Sequence, residues 1–456
     1  MPSMLREMYS TQRGIWPQSV WKYVVILRLR DRLPRSVERI DVSRYPAALP
    51  FFVALRRLSL RVEHRDTLDA LLHAAGSVPN LNDLAIEHAR LDGPPLSALS
   101  RLTRLRRLAI SIDKPPREMC EEKLQEELQN VHECLRILSA HLHELETSAD
   151  ICPLETLADH AWPQLRTLIM TGHSPAYGHM SVSASVARMP CLRVLHLNFS
   201  AYCESPFWAQ PPIFLYSTPS PRPPTPLPAA LPHLESLVLS NVYQPSDTIL
   251  DQLPAQLTCL RVFACKDFML SNRGGYSSLA WPQRFPLSEP QAFRVVQHTS
   301  RMAALTELAL ALSFLPTPEL VRAVAAACPQ LTVLELAYSG YDTRKFTTDT
   351  MSFPSLDTLH DALCLLRALH VLRISVADTS APGRPQFMNL RNWVVFIPFL
   401  EALAREEPTL GSVALSFDGQ GPGMPRQPTR WLTFVVGVDR TGEVYVMDRI
   451  DRSPHL

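Results

Sequence analysis

The chain has 456 residues, of which 46% are hydrophobic and 20% are charged, and its formal net charge is +1. This composition is typical of a soluble protein with enough apolar residues for a core, and the charge excludes a general attraction to nucleic acid. Glycine is scarce and proline abundant, at 15 and 41 residues, so glycine-rich phosphate loops are not expected. No apolar run reaches the length of a membrane span, about 18 residues, and the N-terminus lacks an apolar signal region.

The charge is unevenly distributed along the chain. Residues 1–120 contain 20 Lys and Arg against 12 Asp and Glu, a net +8, whereas the remainder contains 25 against 32, a net −7. The nine cysteines are an odd number, and four of them lie in apolar, repeat-like contexts: Cys191, Cys259, Cys328 and Cys364. We therefore expect reduced, packed thiols, which favour the cytoplasm or the nucleus over an oxidising compartment.

The first 35 residues show no clear repeat. Residues 21–33 have the pattern of a strand or of part of an opening helix. We interpret residues 1–35 as an N-terminal cap, because a repeat array must cover its exposed end. Residues 36–418 then form the predicted array, and residues 419–456 form a C-terminal segment.

A strand pattern of the form LxxLxL recurs from this point. It is clearest at residues 305–310 (LTELAL) and returns twenty-six residues later, at Leu331. Between the two copies lies a predicted helix, with Thr317 as its N-cap and Pro318 at its first position. This strand, helix, strand period is the signature of a leucine-rich repeat, in which the leucines of each strand lie on one side of a sheet.

The same pattern begins at thirteen positions along the chain. They are Val37, Leu55, Leu81, Leu105, Leu142, Leu165, Leu192, Leu234, Leu257, Leu305, Leu331, Leu369 and Leu410. The copies are spaced by 18 to 48 residues, so the repeat length is irregular. The predicted fold class is α/β: a leucine-rich-repeat solenoid, that is, a curved array of short parallel strands and helices.

Helices and insertions connect the predicted strands. The amphipathic helices are expected at residues 67–76, 118–140, 155–160, 356–366 and 390–404. Insertions are expected at residues 205–232, 266–290 and 378–389. The first insertion is rich in proline and contains Thr-Pro and Ser-Pro pairs, so it is either a tolerated surface loop or a docking peptide with proline-directed phosphorylation sites.

The C-terminal segment departs from the repeat. Residues 431–438 and 443–448 have the composition of strands and flank Asp439–Gly442, a turn whose glycine favours a left-handed conformation. They predict a β-hairpin that covers the last repeat.

The junctions between helices and strands carry a resemblance to a known family. Residues 327–331 (ACPQL) resemble the Cys-Pro-x-Leu junction in the leucine-rich repeats of F-box proteins, of the irregular kind common in fungi. Variants of this junction precede Leu165, Leu192 and Leu234. The resemblance covers about residues 35–418 and implies substrate recognition for a cullin-RING ubiquitin ligase. The F-box itself, a helical module that opens with Leu-Pro, is not recognisable, and residues 4–8 match at best a remnant of one helix.

The motifs of common enzyme classes are missing from the sequence. It contains no GxSxG, HExxH or Walker loop, so the usual parts for nucleophilic, metalloprotease and phosphoryl-transfer chemistry are lacking. Gly419, Gly421 and Gly423 alternate, but they lead to Pro425 and a strand rather than to a helix, so we interpret them as a loop. We expect a non-catalytic protein without a cofactor.

Four thiol and imidazole side chains offer zinc-type ligands in the middle of the chain. They are Cys134, His141, His143 and Cys152. Their spacing fits none of the usual zinc pairs, so we interpret them as packed cysteines and surface histidines, and no metal site is predicted.

Positions three, five and seven of each repeat point away from the buried leucines, toward the concave face of such an array. This face is the predicted surface for a protein partner. Its candidate residues are Arg39, Arg57, Arg61, Glu87, Arg107, Glu144, Glu146, His196, Glu335 and Arg373.

The leading hypothesis is a protein–protein interaction protein. The resemblance adds F-box-like substrate recognition, with a ubiquitin-ligase adaptor as a second partner if an F-box lies upstream. The alternative is binding of nucleic acid or another polyanion through the basic first repeats. The cations for that alternative are Arg28, Arg30, Arg32, Arg35, Arg39, Arg56, Arg57, Arg61, Arg104, Arg106 and Arg107. No membrane partner is expected.

Overall fold

The chain divides into two compact units in the computed structural model. The first contains Met1–Phe199 and Ser217–His233, and the second contains Ser200–Tyr216 and Leu234–Leu456. The structure describes residues 7–9, 18–30, 42–62, 64–89, 91–93, 97–112, 121–173, 185–200, 231–240, 249–263, 286–338, 355–378, 386–387, 393–407, 409–417, 430–438 and 443–449.

The first unit is a sheet of short strands that neighbour one another in chain order. The strands are β1 (Glu7–Tyr9), β2 (Ile26–Arg30), β3 (Arg57–Arg61), β4 (Asp83–Ala89), β5 (Arg107–Ile112), β6 (Glu144–Ser148), β7 (Thr167–His173) and β8 (Val194–Ser200). Strands β1 to β7 are paired in parallel. Helical connections link them at Gln18–Trp21, Tyr45–Ala48, Leu49–Phe51, Arg65–Ala75, Ser97–Arg101, Glu121–Leu138 and Leu154–Asp159.

The second unit repeats this plan and ends differently. Its strands are β9 (Ser236–Ser240), β10 (Cys259–Phe263), β11 (Glu307–Leu312), β12 (Val333–Tyr338), β13 (Val371–Ser375), β14 (Ala377–Asp378), β15 (Gln386–Phe387), β16 (Ser412–Phe417), β17 (Arg430–Val438) and β18 (Val444–Arg449). Strands β9 to β13 and β16 are parallel neighbours, whereas β14 and β15 form a separate antiparallel pair. The helical segments are Leu250–Gln252, Glu289–Thr299, Pro318–Ala327, Leu356–Leu363, Trp393–Phe396 and Ile397–Glu406.

The core of each unit consists of stacked rows of leucine. In the clearest repeat, Leu305, Leu308 and Leu310 are each 1% exposed or less. Their counterparts Leu331 and Leu334 are fully buried in the next repeat. Because parallel pairing places equivalent positions side by side, each leucine packs against the same position of its neighbours. The predicted α/β leucine-rich-repeat fold is confirmed.

Local signals begin the helices where the sequence predicts them. Thr317 accepts a hydrogen bond from the backbone N–H of Leu320 at 3.3 Å and caps the helix that starts at Pro318. Ser355 caps the following helix in the same way, through the N–H of Thr358 at 3.2 Å. A side-chain oxygen at this position satisfies one of the amide groups that have no partner within the helix.

A line of threonines links neighbouring repeats of the second unit. The hydroxyl of Thr258 donates to the carbonyl of Glu235 at 2.9 Å, Thr306 donates to Thr258 at 3.2 Å, and Thr332 donates to Thr306 at 3.0 Å. Each threonine occupies position two of its repeat. These bonds supplement the backbone bonds to the same carbonyls, and we define this set as the threonine ladder.

The start of the array differs from the prediction. Strand β2 at residues 26–30 is a full repeat strand, and it pairs directly with β3. A repeat strand was predicted to begin at Val37, but residues 31–41 lie outside the described part of the chain. The strand that pairs with β3 on its N-terminal side in the chain order is β2. A helix, Gln18–Trp21, precedes β2, so the segment 21–33 contains the end of a helix and a strand.

The predicted C-terminal hairpin is confirmed. Strand β17 pairs antiparallel with β16, the last repeat strand, and β18 pairs antiparallel with β17. The turn at residues 439–442 lies outside the described residues, as do Gly419–Gly423 and most of the three predicted insertions. None of the helices given above combines the length and apolar composition that crossing a bilayer requires.

Candidate protein-interaction surface

The first unit carries a cluster of ionised side chains on the sheet surface opposite its leucine rows. We define the charged sheet face by the residues Arg30, Arg57, Asp83, Glu87, Arg107, Glu144 and Glu146. They lie on β2 to β6, at positions three, five and seven of their repeats. Since alternate residues of a strand point to opposite sides, the same pairing that stacks the leucines brings these side chains together.

Charges alternate in sign across four adjacent strands. The pairing registers place Arg57 beside Asp83, Asp83 beside Arg107, and Arg107 beside Glu144. The Nε atom of Arg57 lies 3.4 Å from Asp83, and Nε of Arg107 lies 4.0 Å from Asp83 and 3.5 Å from Glu144. Arg107 also lies 3.6 Å from Glu146. One guanidinium therefore contacts three carboxylates from the strands on either side of it.

A second group lies at the C-terminal ends of β2 to β4. Glu87 accepts a hydrogen bond from the hydroxyl of Ser59 at 2.7 Å. The same carboxylate lies 3.4 Å from a terminal nitrogen of Arg30. The hydroxyl of Ser59, which is only 2% exposed, thus orients a carboxylate that remains about a third exposed to solvent.

Burial differs sharply between the carboxylates. The side chain of Asp83 is 16% exposed, whereas those of Glu144 and Glu146 are 47% and 43% exposed. Burial raises the pKa of Asp83, and the nearby Arg57 and Arg107 lower it by less. Asp83 is therefore a half-buried bridge between two arginines, and the two glutamates are the more accessible acids.

The corresponding sheet surface of the second unit carries fewer charges. Arg261 on β10 pairs with Glu307 on β11, and Arg373 on β13 lies 3.2 Å from Glu335 on β12. The same surface carries small side chains that are nearly buried, such as Ala309 and Ala311, at 6% and 4% exposure. Glu307, Ala309 and Ala311 were all predicted to point away from the core, but only Glu307 remains accessible.

The structure brings together five of the ten predicted binding residues. Arg57, Glu87, Arg107, Glu144 and Glu146 belong to the charged sheet face. Their role in binding stays a prediction.

The other predicted residues lie elsewhere. Glu335 and Arg373 form their own pair in the second unit. Arg61 is half-buried at the end of β3, His196 is half-buried on β8, and Arg39 lies outside the described residues.

Two arginines with the same geometry were absent from the predicted set. Arg30 lies on β2, whose repeat begins with Val24 rather than leucine, although Leu27 and Leu29 follow at the usual spacing. Arg261 occupies position five of the repeat that begins at Leu257. Both arginines would have been predicted if the repeat pattern had been allowed to begin with valine, as at Val24, and if position five of the weak repeat at Leu257 had been included.

Ion pairing reduces the charge that the basic repeats offer to a polyanion. Arg30, Arg57 and Arg107 each contact a carboxylate of the charged sheet face. Arg104 donates to the carbonyl of Pro79 at 2.9 Å. A phosphate backbone would have to compete with these carboxylates, so the geometry favours the protein-binding hypothesis over the polyanion alternative.

The four zinc-type side chains in the middle of the chain do not form a metal-ligand group. Cys134 and Cys152 are buried, and burial raises the pKa of each thiol to about 12. His143 contacts the side-chain oxygen of Gln164 at 2.9 Å. Within the described ranges, the cluster of ligand atoms that does occur combines His360, Cys364 and Glu406.

Comparison with solved structures finds 108 similar chains, among them the following two. The crystal structure of the Rad7 and Elc1 complex in yeast is 16% identical over 79% of each chain, with a TM-score of 0.41. An internalin, InlF from Listeria monocytogenes, is 16% identical over 74% of this chain and 88% of its own, with a TM-score of 0.31. No protein-family model and no curated protein matches the sequence. The fold assignment rests on the strand pairing and the buried leucine rows.

Proposed function

We propose that the protein is a non-catalytic binding protein whose charged sheet face recognises another protein. The observation that carries the proposal is the row Arg57, Asp83, Arg107 and Glu144, in which charge alternates from strand to strand. Strands lie about 4.8 Å apart, so the row presents a fixed spacing of positive and negative groups. Such a pattern selects partners of complementary charge and disfavours others.

The exposed acids set the chemistry of the partner. Glu144 and Glu146 are nearly half exposed and protrude beside Arg107. A partner that places Lys or Arg against them gains charge-assisted hydrogen bonds, while an acid on the same partner is satisfied by Arg57. The partner surface is therefore expected to carry both signs of charge, with its basic groups facing β6.

More specifically, we propose that the bound protein is a substrate that is recognised in the manner of F-box proteins. It is supported by the junction at residues 327–331 and its variants, which resemble those of F-box leucine-rich repeats. On this proposal the protein acts in the cytoplasm or the nucleus and a ligase adaptor is its second partner. Co-purification tests the adaptor separately: recovery of an adaptor and a cullin supports it. Their absence, under conditions that retain known F-box proteins, removes the ligase role and leaves the binding role.

A double charge reversal tests the binding surface. Glu144→Lys with Glu146→Lys is expected to abolish capture of partners that the native protein retains from a lysate, as measured by quantitative mass spectrometry, and to weaken direct binding of the purified partner. The matched control is Glu133→Lys, which also removes an acid paired with an arginine, Arg136, but on the helix Glu121–Leu138. Identical partner sets for the native protein and the double variant would contradict the proposal.

A further inference from the structure

Three potential metal ligands converge between two helices of the second unit. His360 belongs to the helix Leu356–Leu363, Cys364 is the C-cap residue of the same helix, and Glu406 ends the helix Ile397–Glu406. One ligand atom from each residue lies within 4.8 Å of the other two. The two helices pack against each other, so the group joins adjacent repeats.

The distance between the first two ligands matches that of a metal site. His360 and Cys364 are four residues apart, which places them on one face of a helix. The Nε2 atom of His360 lies 3.6 Å from the sulfur of Cys364. Tetrahedral zinc bonds of about 2.3 Å to sulfur and 2.0–2.1 Å to nitrogen separate two such atoms by about 3.6 Å. The separation of these two ligand atoms therefore fits one shared ion.

The surroundings of His360 provide a second, independent indication. Its other ring nitrogen, Nδ1, lies 3.5 Å from a carboxylate oxygen of Asp361. Metal-bound histidines commonly donate their second ring N–H to a carboxylate, which fixes the tautomer that presents a lone pair to the metal. In this arrangement Nε2 is the free ligand atom, and it is the atom directed at Cys364.

The charges of the group suit a divalent cation. A Cys364 thiolate and the Glu406 carboxylate together neutralise a charge of +2, and His360 supplies a neutral nitrogen. The neighbouring Glu407 is already paired with Arg367 at 3.2 Å. Glu406 is exposed and its carboxylate contacts the Cys364 thiol, whereas Cys364 is only 7% exposed.

We infer that His360, Cys364 and Glu406 form a zinc site that clamps the helix Leu356–Leu363 to the helix Ile397–Glu406. Sulfur and imidazole ligands favour Zn²⁺ over Mg²⁺ or Ca²⁺, which prefer oxygen. Three protein ligands leave a fourth position, which water occupies in the three-ligand zinc sites of enzymes. The site is independent of the charged sheet face, and it concerns the rigidity of the second unit.

A cysteine at the equivalent place in the preceding repeat lacks these partners. Cys328 is the C-cap residue of the helix Pro318–Ala327 and is 3% exposed. Its sulfur contacts the hydroxyl of Thr299 at 3.1 Å. Four residues before it stands Val324, where Cys364 has His360. Cys328 therefore provides a matched control with the same position and burial but no ligand set.

The test uses the full chain, stripped of metal by a chelator and titrated with Zn²⁺ alone. We expect one equivalent to bind, the melting temperature to rise with zinc, and Co²⁺ in its place to give a thiolate-to-cobalt charge-transfer band. Cys364→Ser is expected to abolish the band, and His360→Asn and Glu406→Gln to weaken zinc binding at least about tenfold. Cys328→Ser is expected to leave all three measurements unchanged.

Several outcomes would overturn the inference. These are the absence of stoichiometric zinc binding, a charge-transfer band that survives in Cys364→Ser, or a band that is lost in Cys328→Ser instead. Since Cys364 is buried, its variant could fold poorly, and Glu406→Gln then decides the question, because this exposed, isosteric change removes only the carboxylate ligand. Unaltered zinc affinity in both Glu406→Gln and His360→Asn would leave Cys364 as a packed thiol and exclude the site.

Discussion

The two units share one strand register but differ in what the register displays. In both, positions four and six of the repeats are buried and are mostly leucine or a similar residue, as at Leu58 in the first unit and Leu334 in the second, with Thr147 as an exception. On the opposite surface the first unit carries a linked network of arginines and carboxylates. The second unit carries mainly small, nearly buried side chains with two separate ion pairs.

This difference separates the requirements of the fold from those of recognition. Each repeat must bury its leucines against its neighbours, because a single repeat cannot bury enough apolar surface alone. The opposite surface has no such requirement, so its charged side chains can differ in number and in pairing between the two units: a linked network in the first and two separate pairs in the second. The charged sheet face is thus the part of the first unit where packing against the leucine rows does not dictate the side chains, and this is the surface for which we propose a partner.

The largest expected effect tests whether the leucine rows of the two units contribute equally to stability. Leu58→Ala and Leu334→Ala are each expected to lower the free energy of unfolding by about 2 to 5 kcal/mol, since both remove a fully buried side chain and leave a cavity. Denaturant unfolding measures the loss. Hydrogen exchange is expected to locate the fraying in the repeats around each substitution, because each repeat contacts only its neighbours.

A large difference between the two losses of unfolding free energy would show that the two units do not have equivalent cores. If Leu334→Ala were severely destabilising and Leu58→Ala almost neutral, the leucine rows of the first unit would not be a core. The register that defines the charged sheet face would then be wrong as well.

The second expected effect distinguishes the two sheet surfaces at one matched position. Ala109 and Ala309 both occupy position five of a repeat, but Ala109 is half-buried and Ala309 is 6% exposed, between Arg261 and Glu335. Ala309→Leu is expected to destabilise by about 1 to 3 kcal/mol through overpacking. Ala109→Leu is expected to stay within about 0.5 kcal/mol.

Thermal or denaturant unfolding of the two variants provides the measurement. Equal costs would show that the surface of the second unit is as open as that of the first. In that case the small residues there would be merely solvated and not packed.

The fold was predictable because the repeat is periodic. Buried positions in LxxLxL follow from sequence alone, and the helix at Pro318 was predicted from Thr317 as its N-cap. Residues 21–33 were left open between a strand and part of a helix, and β2 was not assigned to the repeat because its repeat starts with Val24 rather than leucine.

The site was predictable only in part. Position three of a repeat identifies Arg57 or Arg107, but Asp83 bridges these two arginines only because the three strands pair side by side. Exposure is a tertiary property, so the sequence does not reveal that Arg57 packs against Asp83 with its Nε atom buried. The zinc ligand Glu406 lies far in sequence from His360, so no spacing motif reveals it.

A third prediction concerns pH and the buried acid of the first unit. Burial raises the pKa of Asp83 in the folded state above its ordinary value of 3.8. The folded state then binds its proton more tightly than the unfolded state. The resulting stability is fully present below pH 3.8 and is lost as pH rises through the folded pKa.

Asp83→Asn is the variant that exposes this dependence. It is expected to change stability by less than about 1 kcal/mol at neutral pH, because the lost attraction to Arg57 and Arg107 is offset by removal of a buried charge. The difference in unfolding free energy between the native protein and the variant is expected to favour the native protein more below pH 3.8, where the carboxyl of Asp83 binds a proton in both states, than at pH 7. A difference that is constant with pH would show that the attraction of the arginines cancels the effect of burial, and a difference that favours the native protein more at pH 7 would show that the arginines dominate.

The smallest expected effect concerns the threonine ladder of the second unit. Thr332→Val removes the hydroxyl that donates to the carbonyl of Thr306 at 3.0 Å but keeps the shape of the side chain. The bond is exposed and the carbonyl retains its backbone donors, the N–H groups of Thr332 and Val333, so the expected loss is about 0.5 kcal/mol. Thr332→Ser keeps the hydroxyl and is the control. Denaturant unfolding measures both variants.

A loss near zero for both would mean that water replaces the hydroxyl and that the backbone bonds alone link the repeats. A loss for Thr332→Ser as large as for Thr332→Val would assign the effect to the methyl group instead.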